Sequence, residues 1–143
     1  MQPYFGAKPA EQYLTQRING ASPEQLVAML LEGAQKFLIQ AITATRNRDI
    51  ATKARMVNKV SSILEELTIR LNHEEGGELV TNLTRIYEWW LRELFDASQK
   101  NEPERLVFIG TQIAEMRATW NELIQTRGSA QPAVAFTAEG LVG

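Results

Sequence analysis

His73 is the only histidine in the chain, and there is no cysteine. A Cys–His pair or a Ser-His-Asp triad would therefore have to be assembled around this one imidazole. The stretch "HEEGG" sets His73 beside Glu74 and Glu75, but the zinc-protease pattern needs two histidines on one helix face. Neighbouring positions on a helix point about 100° apart. Neither Glu65-Glu66 nor Glu74-Glu75 can therefore converge as an acid–base pair, and both read as solvent-facing. Gly76-Gly77 lacks the lysine and the preceding strand of a phosphate loop, and the Glu-x-x-His set of di-iron bundles is absent. "YEWW", Tyr87 to Trp90, offers rings for base stacking, yet Trp90 falls on an apolar helix stripe. Only Trp89 and Arg92 turn to the other face, where core or partner contact is the better reading. No catalytic residue, metal ligand or cofactor site is expected, and the chain does not read as an enzyme.

Composition points the same way. The chain has 143 residues, 44% hydrophobic and 22% charged, enough for one domain with a real core. Its 15 Lys and Arg are scattered among 17 Asp and Glu, for a net charge of −2, whereas a nucleic-acid binder concentrates bases on one face. The N-terminus "MQPYFGAKPAEQYL" has no basic region followed by an apolar one, so no secretory signal is read. The longest fully apolar run, Leu26 to Leu31, is too short to cross a bilayer. Together with the lack of cysteine, this predicts a cytosolic protein that does not insert into membranes.

The elements that would position any site are helices. Ser22 can cap the first, with Pro23 at its first position and Gln25 closing a capping box; it should run to about Arg46. Asp49 can cap a second over residues 50–72, with Val57, Val60, Leu64, Leu67 and Leu71 at spacings of three and four. Gly76-Gly77 should end that helix through a left-handed residue. A third spans 78–99 with Leu79, Leu83, Ile86, Trp90 and Leu94 as its stripe, widened by Tyr87, Leu91 and Phe95. Pro103 opens a fourth, with Leu106, Ile109, Ile113, Met116, Trp120 and Leu123, ending near Arg127. These segments predict an all-α protein, an antiparallel up-down four-helix bundle over residues 21–127. Residues 1–20 read as an arm carrying Tyr4, Phe5, Tyr13, Leu14 and Ile18, where a short helix is expected and which could cover a groove. Residues 128–143 lack periodicity and read as a disordered tail.

The first helix raises a question. At about 100° per residue its apolar side chains, from Leu26 to Ile42, cover an arc of roughly 220°, about twice the stripe a surface helix needs. Gly33 inside this helix costs about 1 kcal/mol relative to alanine, which close approach of another backbone would compensate. Part of the arc is expected to remain exposed for a partner. The alternative is a structural or regulatory bundle that uses this face to self-associate, as a monomer–weak homodimer system.

The stretch from Tyr13 to Ala34, "YLTQRINGASPEQLVAMLLEGA", resembles the flagellar secretion chaperone family, FliS. Tyr13, Ala21, Ser22, Pro23, Leu26, Met29, Leu30, Gly33 and Ala34 fall on its pattern, with Leu31-Glu32 in place of the usual Tyr-Asp. Ser61 to Leu94 is similar to the family's second and third helices through the Gly-Gly turn, Asn82-Leu83 and Ile86-Tyr87. Ile113 to Leu123 is similar to its last helix through Met116-Arg117 and Trp120. The likeness covers roughly residues 10–125.

The resemblance implies a cytosolic chaperone that binds the disordered C-terminal region of flagellin. It would prevent premature polymerisation and bring the subunit to the flagellar type III export gate, without cofactor. An amphipathic client segment would lie in an apolar channel. Leu26, Met29, Leu30, Gly33 and Ala34 of the first helix, with Tyr13 and Ile18 of the arm, are the expected client-binding residues.

Overall fold

The computed structural model describes residues 20–127. Helix α1, Pro23–Arg46, starts as its sequence dictates: the Gln25 amide donates to Ser22 Oγ at 3.1 Å, and the Ser22 amide donates to Gln25 Oε1 at 2.9 Å. This reciprocal pair satisfies two donors that a helix start leaves open. Arg48, at φ 56°, turns the chain, and the Asp49 amide returns to the Ala44 carbonyl at 2.8 Å. Asp49 then caps α2, Ile50–Ile69, accepting from the Thr52 amide. Hydrogen bonds from Thr52 hold the Asp49 carboxyl below its ordinary value.

The same turn recurs at the second hairpin. Helix α3, Gly77–Gln99, closes through Asn101 at φ 55°, with the Glu102 amide bonded to the Ala97 carbonyl at 2.9 Å. Helix α4, Pro103–Arg127, follows. Both hairpins thus end in a left-handed residue with a six-to-one backbone bond, the arrangement that satisfies orphan carbonyls at a helix C-terminus.

Each helix packs mainly on its chain neighbours, and α4 returns to α1. Arg46 at the end of α1 meets Glu104 at the start of α4, and Lys53 at the start of α2 donates to the Ser98 carbonyl at the end of α3. Neighbours therefore run antiparallel in the expected four-helix bundle. The seam expected on α2, with Val57, Val60, Leu64, Leu67 and Leu71, is buried throughout.

Three expectations are corrected. Gly76-Gly77 does not end α2, which stops at Ile69. Gly77 is instead the first residue of α3 at φ +56°, while a Cβ on Gly76 would lie 1.6 Å from Val80 Cγ2 and 2.8 Å from the Asn72 carbonyl. Both glycines serve the entry into α3, Gly77 through its left-handed backbone and Gly76 because Val80 and the Asn72 carbonyl leave room for hydrogen only.

The buried stripe of α3 is Val80, Leu83, Tyr87, Trp90, Leu94 and Ala97, an unbroken three-four alternation. Leu79, Ile86 and Phe95, expected on the core side, are exposed.

On α1, most of the wide apolar arc is absorbed by α2 and α4, while Met29, Leu30, Phe37 and Ile42 at its margin stay partly exposed. Leu26, Val27, Leu31, Ala34, Leu38 and Ala41 are buried, and Leu30, Phe37 and Ile42 pack on the core from its margin. By length and composition α1 could cross a membrane, yet its apolar face lies between α2 and α4. The large exposed apolar surface lies on α3 and α4 instead.

Candidate binding groove between α3 and α4

Beyond the α3–α4 turn the two helices are clamped by charge. Arg105 donates to both carboxylate oxygens of Glu93, at 2.8 and 2.7 Å, and to Asp96 and Glu102. Hydrogen bonds from Arg105 above all, joined at Asp96 by one from Lys100, hold the Glu93 and Asp96 carboxyls below the usual carboxylate range. A planar guanidinium gripping one carboxylate at two points fixes geometry as well as charge.

Past this clamp a groove of about 1070 Å³ opens between the helices. Its α3 wall is Leu79, Leu83, Ile86, Trp89 and Trp90; its α4 wall is Phe108, Gln112, Met116, Trp120 and Leu123. On the floor, Trp90 is 1% exposed and its indole N–H donates to Gln112 Oε1 at 2.7 Å, so a buried polar group is satisfied. At the lip, Trp89 and Phe108 meet edge to face with ring centroids 6.3 Å apart, yet remain 38% and 52% exposed. Leu79 and Ile86 add to this surface. A contiguous apolar patch of this kind marks an interaction site, and exposed aromatics on it are what a partner segment buries most favourably.

The residues expected from the sequence lie elsewhere. Leu26 and Ala34 are closed off in the interior, at 1% and 0% exposure, and Leu30 packs on the core margin. Gly33 faces a side chain, Ile63 Cδ1, which would stand 3.3 Å from an added Cβ, and among the described residues no other backbone approaches that position. Met29 borders a smaller depression of about 520 Å³ between α1 and α4, shared with Glu32, Arg117 and Ile124. Arg117 spans it, donating to Gln35 at 3.1 Å and lying 3.7 Å from Glu32. Tyr13, Ile18, and the segments expected to form a short N-terminal helix and a disordered tail lie outside the described residues.

Sequence reasoning missed the α3–α4 groove. The signal was present, because α3 carries Leu79, Ile86 and Trp89 in addition to a complete three-four seam, and α4 carries Phe108 outside its own. His73 and the Glu74-Glu75 pair are exposed at the α2–α3 connection. Among the described residues no group of His, Cys, Asp and Glu is arranged to hold a metal ion.

An antiparallel helical bundle with an aromatic groove open to solvent has the form of a surface that holds a partner segment. The family described as "Flagellar protein FliS" matches residues 6–127. The chain is 30% identical over 107 residues to the flagellar secretion chaperone FliS of Vibrio cholerae, covering 75% of this chain and 79% of the relative. It is likewise 30% identical over 118 residues to the flagellar secretion chaperone FliS of Bacillus subtilis (82% and 87%) and 28% identical over 107 residues to that of Salmonella typhimurium (74% and 79%). This chain belongs to the FliS family of flagellar secretion chaperones.

Proposed function

We propose that this chain binds the C-terminal segment of flagellin in the cytosol, keeps the subunit from polymerising early, and delivers it to the flagellar type III export apparatus. It works by binding alone, without catalysis or cofactor. The observation that carries this reading is the exposed aromatic groove between α3 and α4 in a member of a secretion chaperone family. Its length along two helices suits a client that folds into an amphipathic helix as it docks, laying spaced apolar anchors into the channel. A disordered client gives up chain entropy on docking but can wrap a large surface in return.

The first helix contributes at the smaller depression, where Met29 is the accessible residue. Leu26, Leu30, Gly33 and Ala34 hold that edge of the bundle in shape, and Tyr13 and Ile18 would reach the client from the arm.

Calorimetry with a flagellin C-terminal peptide tests the proposal. One-to-one binding with a gain in peptide helicity is expected, weakened about tenfold or more by Trp89→Ala or Phe108→Ala. No heat and no helicity at high micromolar peptide would reject it. Self-association in place of peptide binding would favour the structural or regulatory bundle that pairs through its first helix.

A further inference from the structure

The groove has an apolar floor, but its two lips differ in charge. Arg85 and Arg92 stand on the α3 lip, spaced i, i+7 and so on one face of the helix. Both are exposed, and neither makes an ion pair among the described residues. Glu88, the acid between them in sequence, does not line the groove. On the α4 lip stands Glu115, also exposed and without an ion pair among the described residues. The groove is therefore basic along its α3 edge and acidic along its α4 edge, and the remaining charged residue in its lining, Glu24 from the start of α1, is also acidic.

This asymmetry acts on direction. An amphipathic helix turned end for end in a groove keeps its apolar stripe against the floor but exchanges its two polar flanks. A floor that is apolar throughout does not distinguish the two placements. The lips do, because in one placement a flank of carboxylates faces Arg85 and Arg92, and in the other it faces Glu115. Charges at the rim of an interface set orientation, association rate and salt dependence more than total affinity.

We propose that the groove takes an amphipathic helix with carboxylates along one flank of its apolar stripe, and that Arg85 and Arg92 pair with those carboxylates and fix the direction in which the helix lies. The proposal rests on the reading that the groove receives a client helix, and it adds that client's charge pattern and polarity.

The test uses the full chain and three designed helical peptides sharing one leucine stripe. One carries glutamates on the left flank, one on the right, and one carries glutamine at both. Each bears a nitroxide at its N-terminus, and line broadening by NMR reports which end of the groove the label occupies, the Leu79 end or the Trp89 end. Both glutamate peptides should bind about fivefold to tenfold more tightly than the glutamine peptide at low salt, with the advantage fading at high salt. Their labels should appear at opposite ends. Arg85→Glu with Arg92→Glu, both on the surface, should abolish the glutamate advantage while leaving the helical circular dichroism unchanged.

A glutamine peptide that binds equally well, labels at the same end for both flanks, or no binding by any peptide overturns the proposal. The flagellin segment is titrated in parallel. If it binds while the charge tests fail, only the polarity proposal falls; if it does not bind while the charge tests succeed, the flagellin reading falls alone.

Discussion

The indole N–H of Trp90 donates to the side-chain carbonyl of Gln112 at 2.7 Å, tying α3 to α4 across the floor of the groove. Trp90 is almost fully buried, so this donor depends on a single acceptor. Leaving a buried donor unpaired costs about 1–3 kcal/mol. Gln112→Leu should therefore lower unfolding stability by roughly that amount in chemical denaturation, although it adds an apolar side chain. Gln112→Glu, which keeps an acceptor in place, should lose clearly less. Equal losses for the two variants would show that the bond is not what holds the floor.

The glycines allow a contrast in sign. In α1, Gly33→Ala gains helix propensity worth about 1 kcal/mol, against a single contact at 3.3 Å with the terminal methyl of Ile63. That methyl is the free end of a partly buried side chain and can yield. A net stabilisation of about 0.5 kcal/mol is expected. In Gly76→Ala the new Cβ meets Val80 and the Asn72 carbonyl at 1.6 and 2.8 Å, and backbone cannot yield in the same way. That variant should lose about 2 kcal/mol or more. Thermal unfolding of both proteins separates the cases.

Periodicity placed the helices well, because caps and breakers are local chemistry. Ser22 with Gln25, Asp49 and Pro103 all do what their types and positions imply. Periodicity was weaker on the question of which apolar residues face inward. In α3, both Leu79–Leu83–Ile86 and Val80–Leu83–Tyr87 have helical spacing, and only packing against α2 and α4 chooses the second. The breadth of the apolar arc on α1 was legible, but an arc seen alone does not reveal how many neighbours cover it. A central helix and a helix with a binding face have the same pattern. The groove required the relation between Trp89 on α3 and Phe108 on α4, residues that no spacing within one helix brings together.

Tyr87 is fully buried, and its hydroxyl has no hydrogen-bond partner among the described residues. Its ring packs 5.8 Å from that of Trp90. Tyr87→Phe keeps the ring and removes the unpaired group, so stability at neutral pH should rise by about 1 kcal/mol. Burial also pushes the phenol upward from its ordinary value of 10.0. The folded chain thus holds this proton more tightly than the unfolded chain. Stability should be unaffected below about pH 10 and should fall as pH rises above it, because the unfolded phenol ionises first. In Tyr87→Phe this alkaline loss should be smaller by the contribution of this one group, as read from denaturation curves between about pH 9 and 11.

Arg105 predicts the opposite limb. It is the main cause, through hydrogen bonds, of the lowered values at both Glu93 and Asp96. A carboxylate with a lower value in the folded state binds fewer protons there than in the unfolded chain. Its contribution is therefore complete above the ordinary carboxylate range, near pH 4, and disappears as pH falls through the lowered folded values. Arg105→Met keeps most of the aliphatic stem and removes the guanidinium, leaving Glu93 and Asp96 close together without their shared cation. The variant should be less stable at neutral pH and should lose less further stability on acidification, so that the two proteins converge at low pH. Salt should narrow the gap only in part, since the bidentate contact is partly buried at 2.7 and 2.8 Å. Curves that stay parallel from neutral pH down to about pH 2 would mean that Arg105 supports this end of the bundle by packing and not by charge.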